Sequence, residues 1–135
     1  MRSVEIRGVT YTASALDTFA QLHIARKLSP SIPIVEGLID PANSDKNKDI
    51  LTVLMLSHIP DADSEYVVRK CMSVVTRRSG NEKATRIQAP DGSMMFDDIT
   101  LADMLELTVL VIEENLGDFF RTALDSMAAV REQQG

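Results

Sequence analysis

The chain has no tryptophan, one cysteine and two histidines, and aromatic residues make up 4% of its 135 positions. The single Cys71 excludes an internal disulfide framework and fits a reducing compartment. With so few rings, a core must come from Leu, Ile, Val, Met and Ala. No apolar run reaches the roughly 18–20 residues of a membrane span. The first residues, MRSVEIRGVTYT, carry no apolar signal-peptide region, so the expected address is the cytoplasm. Motifs for catalysis are equally scarce. His23 and His58 have no acid, histidine or cysteine at a metal-ligand spacing, and there is no P-loop or G-x-G-x-x-G. Cys71 has no adjacent histidine and reads as a small buried hydrophobe. The acid pairs Asp97-Asp98 and Glu113-Glu114 are consecutive, and neighbours on a helix do not face a common point. These observations point away from an enzyme, and they call for no cofactor or metal.

An apolar fraction of 44% with 25% charged residues is ordinary for a globular chain, and the length suits one domain over residues 1–135. The net charge of −6 is unevenly spread. Residues 69–86 hold six basic groups against Glu82, a net +5, whereas residues 91–135 hold ten acids against Arg121 and Arg131, a net −8. Attraction within one fold is the plain account; a basic face for an acidic partner is the sharper one. Nucleic acid is disfavoured by the acidic total and by the lack of aromatics among the basic residues.

Periodicity predicts a mainly helical protein, a compact multi-helix domain with one or two short β-hairpins, N-terminal and around residues 84–96. Val4–Ile6 and Val9–Tyr11 flank Arg7-Gly8 as a hairpin. Ser14 with Asp17 signals a helix start for Ala15–Leu28, with Leu16, Phe19, Ala20, His23, Ile24 and Lys27 on one face and His23 as a packed or hydrogen-bonded structural residue. Ser29-Pro30 ends that helix. A short helix with Pro33 in its first turn is expected over Ser31–Ile39, and a loop over Asp40–Lys48. Asp49–Ile59 reads as an almost wholly buried helix closed by Pro60, and Asp61–Val75 as a helix followed by a turn at Arg78–Glu82. Ala84–Ala89 and Ser93–Phe96 flank Pro90-Asp91-Gly92 as the second hairpin.

The organising stretch is Met94–Leu124. Thr100 with Asp103 fits a helix-start box, and an apolar face follows through Leu101, Met104, Leu105, Thr108 and Ile112. Asp103, Glu106 and Glu113 are expected on a narrow polar stripe, Gly117 as a break or cap, and Arg131–Gly135 as a frayed end.

Two pieces carry a resemblance. Val9-Thr10-Tyr11 followed by Phe19–Pro30 (FAQLHIARKLSP), and Met95–Leu107 (MFDDITLADMLEL) with Asn115–Phe120 (NLGDFF), resemble the tail assembly chaperones of long-tailed bacteriophages. The resemblance implies a helical, non-enzymatic, cytoplasmic protein that binds the tape measure protein and keeps it soluble while tail tube subunits polymerise. It also implies absence from the mature virion. A frameshifted, extended product would engage the tail tube protein. Several copies would line one client, and a homo-oligomer is left open. The expected partner surface is Met94, Met95, Phe96, Phe119 and Phe120. A small nucleic-acid-binding regulator and a structural phage connector remain the alternatives.

Overall fold

The computed structural model describes residues 1–39 and 45–134. Strands β1 (Arg2–Ile6) and β2 (Val9–Ala13) form an antiparallel hairpin, longer at each end than its apolar alternation suggested. Arg7 and Gly8 both take positive φ, 49° and 83°, which is the backbone twist that a two-residue hairpin link requires.

Helix α1 (Thr18–Leu28) starts later than expected, because Asp17 and not Ser14 is its cap. The Asp17 carboxylate accepts from the Ala20 N–H at 2.9 Å. Ser14 instead continues the strand layer, donating its N–H to the Val74 carbonyl. A 3-10 turn over Ser29–Ser31 leads into α2 (Ile32–Ile39), with Pro33 in its first turn.

Helix α3 (Asp45–Ser57) begins inside the segment expected as a loop, and Asp40–Ser44 of that segment lie outside the described residues. The expectation of near-complete burial for the next stretch is overturned. Thr52 and Met55 are fully buried, but Ile50, Val53 and Leu54 are 63%, 47% and 44% exposed. Helix α3 packs on α2, α4 and α5, and among the described residues these neighbours leave Ile50, Val53 and Leu54 largely uncovered.

Helix α4 (Asp61–Met72) follows Pro60, with Asp61 and Asp63 in its first turn and Arg69 and Lys70 in its last. That order complements the helix dipole. It stops short of Val75, which opens β3 (Val75–Ser79), a segment expected to be helix end and turn. Pairing explains the difference: β2 has a second edge to satisfy, and Ala13, Tyr11 and Val9 register with Val75, Arg77 and Ser79. The short β4 (Thr85–Arg86) completes a four-stranded sheet in the order β1-β2-β3-β4. The hairpin expected around Asp91 is reduced to one bridge, Gln88 to Met94, closed by Gly92 at φ 89°.

Helix α5 (Leu101–Gln134) spans 34 residues, about 50 Å at 1.5 Å per residue. It runs without interruption through Gly117, where a break was expected, and is helical to Gln134. Leu116 and Phe120 keep the packing continuous on both sides of the glycine. The core gathers Tyr11, Ala13 and Val75 from the sheet, Ile87 from the bend just after β4, Ile24, Leu28, Val35, Met55, Val67 and Met72 from α1–α4, and Leu107, Val111 and Phe120 from α5.

At the start of α5 the Thr100–Asp103 box is reciprocal. The Thr100 N–H donates to Asp103 at 3.0 Å and the Asp103 N–H to Thr100 Oγ1 at 3.2 Å. Asp103 was expected on the polar stripe, but it is buried. Its carboxylate pairs with the Arg7 guanidinium, including a contact to Nη1 at 3.2 Å, so the hairpin turn is tied to the first turn of α5.

Candidate partner-binding surface

The expected surface residues divide between two places. Met94 and Met95 follow the Asp91 turn and are 38% and 53% exposed. The Ala89 N–H donates to the Ser93 carbonyl, and the Met95 N–H to the Ile87 carbonyl, which fixes this short excursion against β4. Phe96 is half-buried, with the Arg77 guanidinium 4.1 Å above its ring. Arg77 is in turn held by Asp98 through contacts of 2.7 and 3.1 Å. That two-fold contact holds the Asp98 carboxyl below the usual carboxylate range.

Beside Met94 lies a groove of about 300 Å³ whose apolar wall is Val68, Met72, Met94 and Met104. Arg69 braces its rim. The guanidinium reaches Glu65 at 2.8 Å and the Gly92 carbonyl at 2.5 Å, while Gln88 donates to the Arg69 carbonyl.

The second place is on α5. Phe119 is 56% exposed and lines a groove with Leu22, Ala25, Asn115 and Leu116. Phe120, one position on, is in the core and meets the Phe119 ring edge-to-face at 5.6 Å. Some 18 residues of helix separate Leu101 from Phe119, roughly 27 Å, so Met94–Phe96 and Phe119 do not form one contiguous patch.

Two contributors were missed by pattern reading. Leu22, 51% exposed, lines the Phe119 groove from α1, and Phe19, 76% exposed, stands on α1 outside that lining. Phe19 had been expected on the packed face, but the buried stripe of α1 is Ala20, Ile24 and Leu28. The i, i+4, i+8 spacing of those three residues was the signal that leaves Phe19 and Leu22 outside.

The remaining polar groups are mostly engaged within the fold. Glu114 pairs with the Met1 amino group at 2.9 Å and with Arg2, while Glu113 meets Arg2 and Lys48. Arg69 and Arg77 are paired, but Arg78, Lys83 and Arg86 are exposed and make no ion pair among the described residues. His23 is exposed and stands edge-on to Tyr66 at 6.3 Å, rather than packed inside. His58 Nδ1 lies 2.7 Å from the Leu54 carbonyl at the end of α3. Burial pushes the Cys71 thiol up to about 12, which leaves almost no thiolate at neutral pH. Among the described residues no group of three or more His, Cys, Asp or Glu could hold a metal, and no helix is long and apolar enough to cross a membrane.

No curated protein and no solved structure matches the chain. The phage tail assembly chaperone protein family, TAC, matches residues 7–128, from the hairpin turn through the exposed part of α5. With nearly the whole chain covered, this protein belongs to the phage tail assembly chaperone family.

Proposed function

We propose that this chain binds the tape measure protein and keeps it soluble while tail tube subunits assemble around it. A tail assembly chaperone is non-enzymatic, so its work must be done by surfaces. The observation that carries the reading is the set of large apolar side chains left in solvent: Leu22 and Phe119 line one groove and Met94 lines the other, with Phe19 and Met95 exposed as well. Exposed apolar patches of this kind mark interaction sites. Grooves between helices receive the apolar face of a partner helix. A long helical client exposes apolar stripes that aggregate when unpaired. Two separated stations on each copy, and several copies per client, let weak single contacts add up.

In this reading Met94, Met95, Phe96 and Phe119 meet the client and Phe120 backs Phe119 from the core. The protein acts in the host cytoplasm and is left out of the finished particle. The tail tube protein is met through a longer product that shares this chain. Co-expression with the tape measure protein of the same gene cluster tests the reading. The client is expected in the soluble fraction, co-eluting with several copies. The double variant Phe19→Ser/Phe119→Ser, whose side chains are mostly in solvent, should leave the melting temperature nearly unchanged and return the client to the pellet. A client that stays insoluble with the unaltered protein overturns the proposal.

A further inference from the structure

Helix α5 keeps its apolar face after the rest of the fold has ended. Every residue from Asp125 to Val130 is exposed, yet Met127 and Val130 stay in phase with Leu116 and Ala123 on the core side of the helix. With Ala123 as origin and about 100° per residue, Leu116, Phe119, Met127 and Val130 all fall within about 40° of it. Toward the fold, Leu116 and Phe119 on this face form one wall of the groove of about 200 Å³ that Leu22 and Ala25 close from α1. An open groove and an uncovered apolar helix end thus share one face of one helix.

The spacing is symmetric about Ala123. Phe119 and Met127 lie four residues to either side of it, and Leu116 and Val130 lie seven. A two-fold axis through Ala123, with a second copy running antiparallel, sets Met127 of each copy on Phe119 of the other. It sets Val130 of each at the Leu116 end of the other's groove. Such a contact is isologous: the same patch serves on both copies. The small Ala123 side chain at the axis leaves room for the bulkier side chains on either side to interdigitate.

Charge favours a second copy as the occupant. A chain of net charge −6 repels itself through most of its surface, so two copies can meet only where the acids are turned away. Asp118, Arg121 and Asp125 are the charged residues between Leu116 and Val130. All three fall about 140–160° from Ala123, on the far side of the helix, and Asp118 and Arg121 pair with each other there at 3.3 Å. The α1 wall of the groove, Thr18, Gln21, Leu22 and Ala25, is uncharged as well. A partner recognised by its charges would find nothing here to read, whereas a copy of the same face meets no like charge. The area is adequate. Met127 and Val130 are 38% and 51% exposed, beside the exposed Phe119 and Leu22. Covering these four and the small positions between them removes roughly 600 Å² per copy, or about 1,200 Å² in all, the lower bound of a specific interface.

We propose that two copies of this chain pair antiparallel through α5 about Ala123, each laying Met127 and Val130 over the other's α1–α5 groove. This pairing goes beyond the client-binding reading and does not depend on it. Phe119 serves both, so a client and a second copy compete for that ring.

Sedimentation equilibrium of the full chain, at 14.9 kDa per copy, tests the pairing. A monomer–dimer equilibrium is expected, with a dissociation constant on the order of 10 µM for an interface of this small area. Val130→Glu, at an exposed position beyond the body of the fold, should weaken it by about tenfold or more, because two carboxylates enter an apolar contact. Its circular dichroism should keep the helical signal. Ala123→Cys should form a covalent dimer with a mild chemical oxidant, since a residue at the axis meets itself, while Cys71 is buried and does not compete. Val130→Cys should not, because in the antiparallel pair its two copies lie about 21 Å apart along the helices. A chain that stays monomeric at near-millimolar concentration would overturn the proposal. So would a dimer that Val130→Glu leaves intact, or cross-linking of Val130→Cys as fast as that of Ala123→Cys. Association through Met127 and Val130 that arises only when the tape measure protein is added would also overturn it and give the helix end to the client. Co-expression keeps the two readings apart. If the pair forms as described and the tape measure protein stays insoluble, the pairing stands and the client reading fails. If the client is solubilised by a chain that is monomeric at every concentration, the pairing fails and the client reading stands.

Discussion

Replacing Asp103 by alanine removes two supports at once. The carboxylate closes the reciprocal box at the start of α5, and it neutralises Arg7 across 96 residues of sequence. Loss of a helix-start acceptor costs about 1 kcal/mol. Loss of a buried negative charge at the positive end of a long helix adds about another 1 kcal/mol. With an unfolding entropy of about 2.1 cal/mol/K per residue, a loss of about 2 kcal/mol lowers the melting temperature of a chain this size by about 7 °C. Asp103→Asn keeps an amide oxygen for the Thr100 N–H and loses only the charge, so it should fall roughly half as far. Arg7→Ala should show a smaller loss, one that disappears when Asp103 is already alanine. Thermal denaturation followed by circular dichroism, with the double variant closing the cycle, reads all of these.

The pH dependence gives the same argument an independent sign. The Arg7 guanidinium, with the Thr100 N–H, holds the Asp103 carboxyl below the ordinary carboxylate value. A lowered value in the folded state means that the stabilisation is fully present above the unfolded value, near about 4. It is lost as pH falls through the folded value. The difference between the natural chain and Asp103→Asn should therefore be flat from neutral pH down to about 5 and shrink on further acidification. An alanine variant that melts within roughly 2 °C of the natural chain, or a difference that grows on acidification, would refute the reasoning.

Gly117→Ala should stabilise the protein by about 0.5–1 kcal/mol, since the position is mid-helix and an added Cβ meets only the tip of Arg121, at 3.1 Å. Urea unfolding checks it, and a loss of stability would mean that Arg121 cannot move aside. Cys71 should be inert to a thiol-specific reagent in the folded protein and react once per chain in denaturant, because its thiol is buried with a raised pKa. Rapid labelling of the folded chain at neutral pH would contradict the burial.

The features that were legible in the sequence are those whose signals lie within a few residues. The Arg7-Gly8 turn, the Thr100–Asp103 box and the acid-first, base-last order of α4 each carry their cause locally. The partner of Asp103 does not, because it sits in a turn at the other end of the chain. A reading by period alone places every charge outward, and here the charge is inward because Arg7 arrives from the hairpin. Apolar density misleads in the opposite direction on α3. Ile50, Val53 and Leu54 look like core and stand in solvent, since density says what a helix could bury and not which neighbours it has. The strand Val75–Ser79 was hidden for a related reason, as its identity depends on the free edge of β2 far upstream.

Phe119 and Phe120 show how much of the candidate surface could have been resolved. Adjacent residues on a helix point about 100° apart, so the two rings cannot share one environment. The helix phase decides between them. Leu116 is buried, Phe120 lies one turn further along the same face, and Phe119 lies off it. The same phase continues at spacings of four and three through Ala123, Met127 and Val130, yet Met127 and Val130 are exposed because the body of the fold ends near Leu124. Periodicity thus fixes which face of α5 is apolar along its whole length. Where along that face the protein stops covering itself is set by how far α1 to α4 and the sheet extend. The point at which core gives way to exposed apolar surface is therefore a property of the assembled fold, and the region around Phe119 is where it occurs.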